Sequence, residues 1–108
     1  MDDAAYMEMA LRMARKALRF GEVPVGAVIV RDETVIAQAH NLTRTDRDPP
    51  AHAETVAIRR AAAHLEDWRL SGCTLYCTVE PCILCAGAIL LARIDRLVYG
   101  CPDPKMGA

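Results

Sequence analysis

The amino-acid sequence predicts an α/β fold with helices lying on the faces of a small sheet. Three observations lead there. Amphipathic or apolar helical stretches alternate with short β-rich runs in the order helix, hairpin, helix, strand, helix, strand. Strands separated by helices pair through right-handed crossovers that lay each helix against the sheet. No internal repeat, low-complexity tract or Ser/Gly-rich linker divides the 108 residues, so one domain spanning 1–108 is expected.

Each element has its own signal. Asp3 is expected to cap a first helix running to about Arg19, with Tyr6, Ala10, Met13, Ala14 and Ala17 on one face and Gly21 ending it. The apolar run Ala27–Val30 and the stretch Thr34–Ala39 flank Asp32-Glu33, a turn candidate that makes a hairpin. From Leu42 to Ala51 the chain is polar and ends in prolines, a loop long enough for a functional role. Asp48-Pro49-Pro50 starts a second helix from His52 to about His64. Thr74–Val79 reads as a strand, Pro81–Ala92 as a helix with proline in its first turn, and Arg96–Tyr99 as a last strand. The third helix has no polar face, so burial against the sheet and a second helix or subunit is expected.

Composition narrows the function classes. At 53% hydrophobic and 25% charged residues the chain has the balance of a soluble globular protein, and a formal net charge of -1 gives no global attraction to nucleic acid or an acidic membrane. The longest apolar runs, Val23–Val30 and Ile83–Ala92, are well short of the roughly 20 residues that cross a bilayer. No leader pattern is read at the N-terminus, where Asp2 and Asp3 stand. Five cysteines, an odd number, favour reduced thiols and a cytoplasmic location over a disulfide framework.

Two of those cysteines carry the chemistry. In "EPCILCAGA" (80–88), Cys82 and Cys85 are three apart in the first turn of a helix and so share a face. The positive pole of the helix there favours thiolate, the zinc-binding form. In "PPAHAETVAI" (49–58), His52 and Glu54 also fall in the first turn of a helix. The two N-termini can meet at one sheet edge, where open α/β folds hold ligands. His52, Cys82 and Cys85 would then be three protein ligands with the fourth tetrahedral position open, the arrangement of a catalytic zinc. Glu54 would stand close enough to accept a proton from water without being a ligand.

H-A-E followed downstream by P-C-x-x-C resembles the zinc-dependent cytidine/deoxycytidylate deaminase superfamily. Within it, "EVPVGAVIV" (22–30), "HN" (40–41), "DPPAHAE" (48–54), "EPCILCAGA" (80–88) and "DPKMGA" (103–108) stand in the order found in bacterial tRNA-specific adenosine deaminases. The resemblance implies a three-layer α/β/α fold with a mixed central sheet, four of whose strands lie in this chain. It implies one zinc per chain on His52, Cys82 and Cys85, and hydrolytic deamination with Glu54 carrying the protons. It implies base contacts from Asn41, a base pocket lined by Val25 and Ala53, and a substrate mouth near Asp103 and Lys105. It also implies a homodimer acting on a tRNA anticodon stem-loop, converting adenosine to inosine at the wobble position with release of ammonia. Leu84 replaces a methionine common in relatives, a volume-conserving change. Relatives continue past "DPKMGA" with a fifth strand and C-terminal helices, so this domain is expected to be C-terminally short and to grip RNA less firmly.

Other readings accompany these. A deaminase of free guanine, cytosine or cytidine shares much of the core pattern, and an inactive zinc-stabilised module would need the ligands but not Glu54. Cys77, on one strand face with Leu75 and Val79, is read as packing, while Cys101 is divided between pocket lining and packing. His64 and the stripe Arg12, Arg15, Lys16 and Arg19 are read as solvated surface.

Overall fold

The computed structural model describes residues 1–108. Helix α1 (Asp3–Leu18) is followed by strands β1 (Gly26–Arg31) and β2 (Thr34–His40), helix α2 (Ala53–Leu65), β3 (Cys73–Val79), α3 (Ile83–Leu91) and β4 (Arg96–Cys101). The strands form one mixed sheet in the order β2-β1-β3-β4. β1 runs antiparallel to both β2 and β3, and β4 runs parallel to β3.

The β1–β2 connection is a two-residue turn with positive φ at Asp32 (50°) and Glu33 (61°). That geometry matches the right-handed twist of hairpin strands. Along β1 the side chains alternate between two cores. Ala27 and Ile29 join Ala39, Ala53, Ala57, Leu75, Cys77 and Ile89 beneath α2 and α3. Val28 and Val30 join Tyr6, Ala10 and Tyr76 beneath α1. The result is the expected three-layer α/β/α arrangement. Alanines on the buried face of α1 let it lie close on the sheet, and Gly26 lets it lie closer still: a Cβ there would run into the Ala10 carbonyl oxygen and the Ala14 nitrogen.

Three local expectations need correction. Asp2, not Asp3, caps α1, its side chain accepting from the Ala5 N–H at 2.9 Å. Asp3 instead accepts from the Tyr76 hydroxyl at 2.6 Å and from Arg96 Nη1 at 2.8 Å, tying the helix start to β3 and β4. Pro81 lies outside α3, because Cys82 has an extended backbone (φ −71°, ψ 176°) and is itself the N-cap. The expected burial of α3 fails within this chain. Only Cys85 and Ile89 are buried, on the side that meets α2, while Ile83, Leu90 and Leu91 are 83%, 74% and 72% exposed.

Candidate metal and catalytic site

Strand direction assembles the site. Because β2 and β3 both run antiparallel to β1, they point the same way, and β4 follows β3. The C-terminal ends of these three strands therefore meet the N-terminal end of β1 at one edge. Val25 enters β1 there, Asn41 leaves β2, Glu80 leaves β3, and Asp103 follows β4. Helices α2 and α3 start from the same edge, bringing their first turns together.

His52 is the N-cap of α2 and Cys82 the N-cap of α3, both with extended backbone, and neither side chain makes a capping hydrogen bond. Cap positions usually take a side chain that accepts from the helix backbone. Here they leave an imidazole and a thiol free to face each other. His52 Nδ1 lies 3.6 Å from Cys82 Sγ and 3.3 Å from Cys85 Sγ. Ligand atoms about 2.0–2.3 Å from a tetrahedral zinc would be separated by roughly 3.5 Å, so the donor set fits that ion in both identity and spacing. The three ligand atoms all lie within 4.8 Å of one another.

Glu54 sits in the first turn of α2 and is 4% exposed. Burial pushes its carboxyl above the usual range, and the nearby His52 pulls the other way. Burial, followed by Glu54 and Cys82, also raises the Cys85 thiol. Zinc binds cysteine as thiolate, so metal uptake at this site is coupled to release of any proton the thiols carry.

A cleft of about 280 Å³ opens over these groups. It is lined by Asn41, His52, Glu54 and Cys82, with Val23, Val25, Val79, Glu80, Asp103 and Met106 completing its walls. Asn41 is 8% exposed, and its Oδ1 accepts from the Ala53 N–H at 2.8 Å, which fixes the side chain and ties β2 to the start of α2. Of the residues expected at the substrate, Val25, Asn41 and Asp103 line the cleft. Ala53 is fully buried beneath it and Lys105 is exposed outside it. Cys101 is exposed, its Sγ turned to the Thr78 carbonyl oxygen at 3.7 Å, so it does not line the cleft. Val23, Val79, Glu80 and Met106 were not anticipated. The shared direction of the strand ends was the signal that would have found them.

The fold and its triad define a zinc deaminase domain. The family model for the cytidine and deoxycytidylate deaminase zinc-binding region matches residues 1–101, and the chain belongs to that family. It is 50% identical over 105 residues to a tRNA-specific adenosine deaminase of Bacillus subtilis, covering 97% of this chain and 65% of that protein. It is likewise 50% identical over 107 residues to the Haemophilus influenzae tRNA-specific adenosine deaminase, covering 98% of this chain and 62% of that protein. The chain thus spans a little under two thirds of the length of these relatives. Among solved structures, one from a study of A-to-I editing by tRNA:A34 deaminases superposes with a TM-score of 0.95 at 52% identity, covering 97% of this chain and 76% of that one. The guanine deaminase of Bacillus subtilis superposes with a TM-score of 0.92 at 39% identity, covering 94% of this chain and 66% of that one.

Proposed function

We propose that this chain is a hydrolytic deaminase domain that converts adenosine to inosine at the wobble position of tRNA, releasing ammonia. The observation that carries the proposal is a buried glutamate, Glu54, beside three metal-capable side chains on the floor of a base-sized cleft. His52, Cys82 and Cys85 would hold one zinc. When bound, zinc supplies Lewis-acid activation of a water at neutral pH. Glu54, with its carboxyl raised by burial, takes one proton from the attacking water and delivers it to the ring nitrogen; it then takes the remaining hydroxyl proton as the C–N bond breaks and passes it to the amine, which departs as ammonia. Asn41, held by Ala53 through Oδ1, turns its amide toward the cleft to hold the base edge. Val23, Val25, Val79 and Met106 give the flat base an apolar enclosure that excludes bulk water.

Residues 1–108 act in this reading as one domain. The apolar residues exposed on α3 favour pairing with a second copy across that helix. Five free thiols suit a reducing cytoplasm. No helix is long and apolar enough to cross a membrane. The likeness to a guanine deaminase keeps a second substrate in view, the free base. Ammonia release from an anticodon stem-loop RNA, from adenosine and from free guanine and cytosine, each with and without chelator, tests the choice. Turnover of the RNA alone, abolished by chelator, is the expected result. Turnover of a free base instead would move the chain to the second reading. No ammonia from any substrate by zinc-loaded protein would leave a metal-stabilised module without activity.

A further inference from the structure

Glu22 is charged, lies between α1 and β1, and is only 4% exposed. Its carboxylate reaches across to the loop between β2 and α2. Oε2 accepts from the Thr45 N–H and from the Thr45 hydroxyl, both at 2.6 Å, and Oε1 accepts from the Arg44 N–H at 3.2 Å. Both oxygens are thus committed to one loop, and the carboxyl is held below its usual range chiefly by the Thr45 hydroxyl. The Arg44 guanidinium returns the contact by donating to the Gly21 carbonyl oxygen at 3.1 Å.

The loop so fastened is closed at its base. Leu42 N–H donates to the Ala51 carbonyl oxygen at 2.9 Å, so its two ends meet. Asn41 stands immediately before that closure and His52 immediately after it. On the other side, Glu22 leads directly into Val23 and Val25, and the Asn41 N–H donates to the Val25 carbonyl oxygen at 3.3 Å. Val23, Val25, Asn41 and His52 all line the cleft. Glu22 itself does not line it.

We propose that Glu22 is a positioning residue for substrate: its buried carboxylate locks the 42–51 loop to the 22–25 segment, so that the valine wall faces Asn41 at the separation that admits one base and the exposed arginines of the loop, Arg44 and Arg47, are held where they meet a polynucleotide backbone. The inference rests on the deaminase reading above and deepens it. Its distinguishing feature is that Glu22 acts on binding rather than on chemistry. The Glu22 carboxylate makes its hydrogen bonds to Arg44 and Thr45 of the loop and none to α2 or α3, which carry Glu54 and the metal ligands. Loosening the loop therefore raises KM for an RNA stem-loop while leaving kcat and zinc content near their original values.

Glu22→Gln and Thr45→Val test this together, with zinc content, amide exchange of residues 43–48, and kinetics on the stem-loop RNA as readouts. Glu22→Gln faces the Thr45 donors with an amide and removes the charge, whereas Thr45→Val removes one bond and is mild enough to fold. The expected result is unchanged zinc, exchange at Arg44 and Thr45 faster by about tenfold or more, KM raised about tenfold and kcat within about threefold. Thr45→Val should show a smaller shift in the same direction, and the double variant should fall short of the sum. Faster exchange with an unchanged KM would overturn the proposal, as would a fall in kcat alone or loss of zinc. If zinc-loaded wild-type protein deaminates nothing, the deaminase reading falls. Exchange rates and the affinity of wild type and variants for the same RNA then decide Glu22 separately: a weakened affinity supports the role, and an equal affinity ends it.

Discussion

Cys85 Sγ lies 3.3 Å from His52 Nδ1, although 33 residues separate them and they belong to different helices. The contact exists because two helices begin at one sheet edge, and the N-cap of one faces the first turn of the other. Nothing in either helix alone requires a histidine or a cysteine at those places. Both would be better capped by serine or aspartate. Their presence there is explained by a shared ligand.

Removing one of those ligands should empty the site. Cys82→Ala or Cys85→Ala is expected to reduce zinc from about one per chain to a small fraction, because two protein donors hold zinc poorly. Elemental analysis of purified protein decides it. Full occupancy in either variant would exclude that cysteine as a ligand.

Glu54→Gln should behave in the opposite way. The variant is expected to keep its zinc and to lose turnover by roughly 10² to 10⁴, the range of a general acid–base group. Metal analysis and single-turnover ammonia release on the same sample separate the two effects. Zinc lost along with activity would show Glu54 to be a ligand.

Gly26→Ala is expected to destabilise the fold by about 1–3 kcal/mol or more. The added Cβ meets backbone atoms of α1, Ala10 O and Ala14 N, which cannot swing aside as a side chain can. Since Gly26 also opens β1 beside Thr78, whose Oγ1 accepts its N–H at 3.2 Å, α1 must lift from the sheet. The urea midpoint of unfolding gives the answer; an unchanged midpoint would mean that α1 packs more loosely than the structure has it.

Acid should weaken the protein partly through Asp3. Arg96, and then Tyr76, hydrogen-bond to its carboxylate and hold it well below the usual range. The Tyr76 phenol is correspondingly pushed up to about 12, first by burial and then by Asp3. A depressed folded value means that the unfolded chain binds protons first. The stability from this group is therefore present above the unfolded value of about 4 and lost as pH falls through the folded one. Comparing thermal midpoints of wild type and Asp3→Asn from about pH 6 downward isolates it. The wild-type advantage should shrink with falling pH, and a constant difference would show that the ionised Asp3 adds nothing.

Much of this molecule could be read from local sequence. Spacing and turn chemistry located all seven elements, because an apolar stripe at helical period, an Asp-Glu turn between short β-rich runs, and prolines just before helix starts act over a few residues. His52, Glu54, Cys82 and Cys85 could be singled out because reactive side chains stood together in first turns. Tertiary structure alone decided which residues face the cleft. Ala53 and Lys105 fall away from it, whereas Val23, Val79, Glu80 and Met106 enter it, since that depends on the common direction of strand ends far apart in the chain. It also decided the exposure of α3, whose uniform apolarity says that it needs cover but not whether this chain supplies it. Glu22 shows the same division. As a sequence letter it is one surface-like charge among 27, counting 14 acidic and 13 basic residues. It becomes a buried staple only when the loop 20 residues further on folds back to give its oxygens three donors.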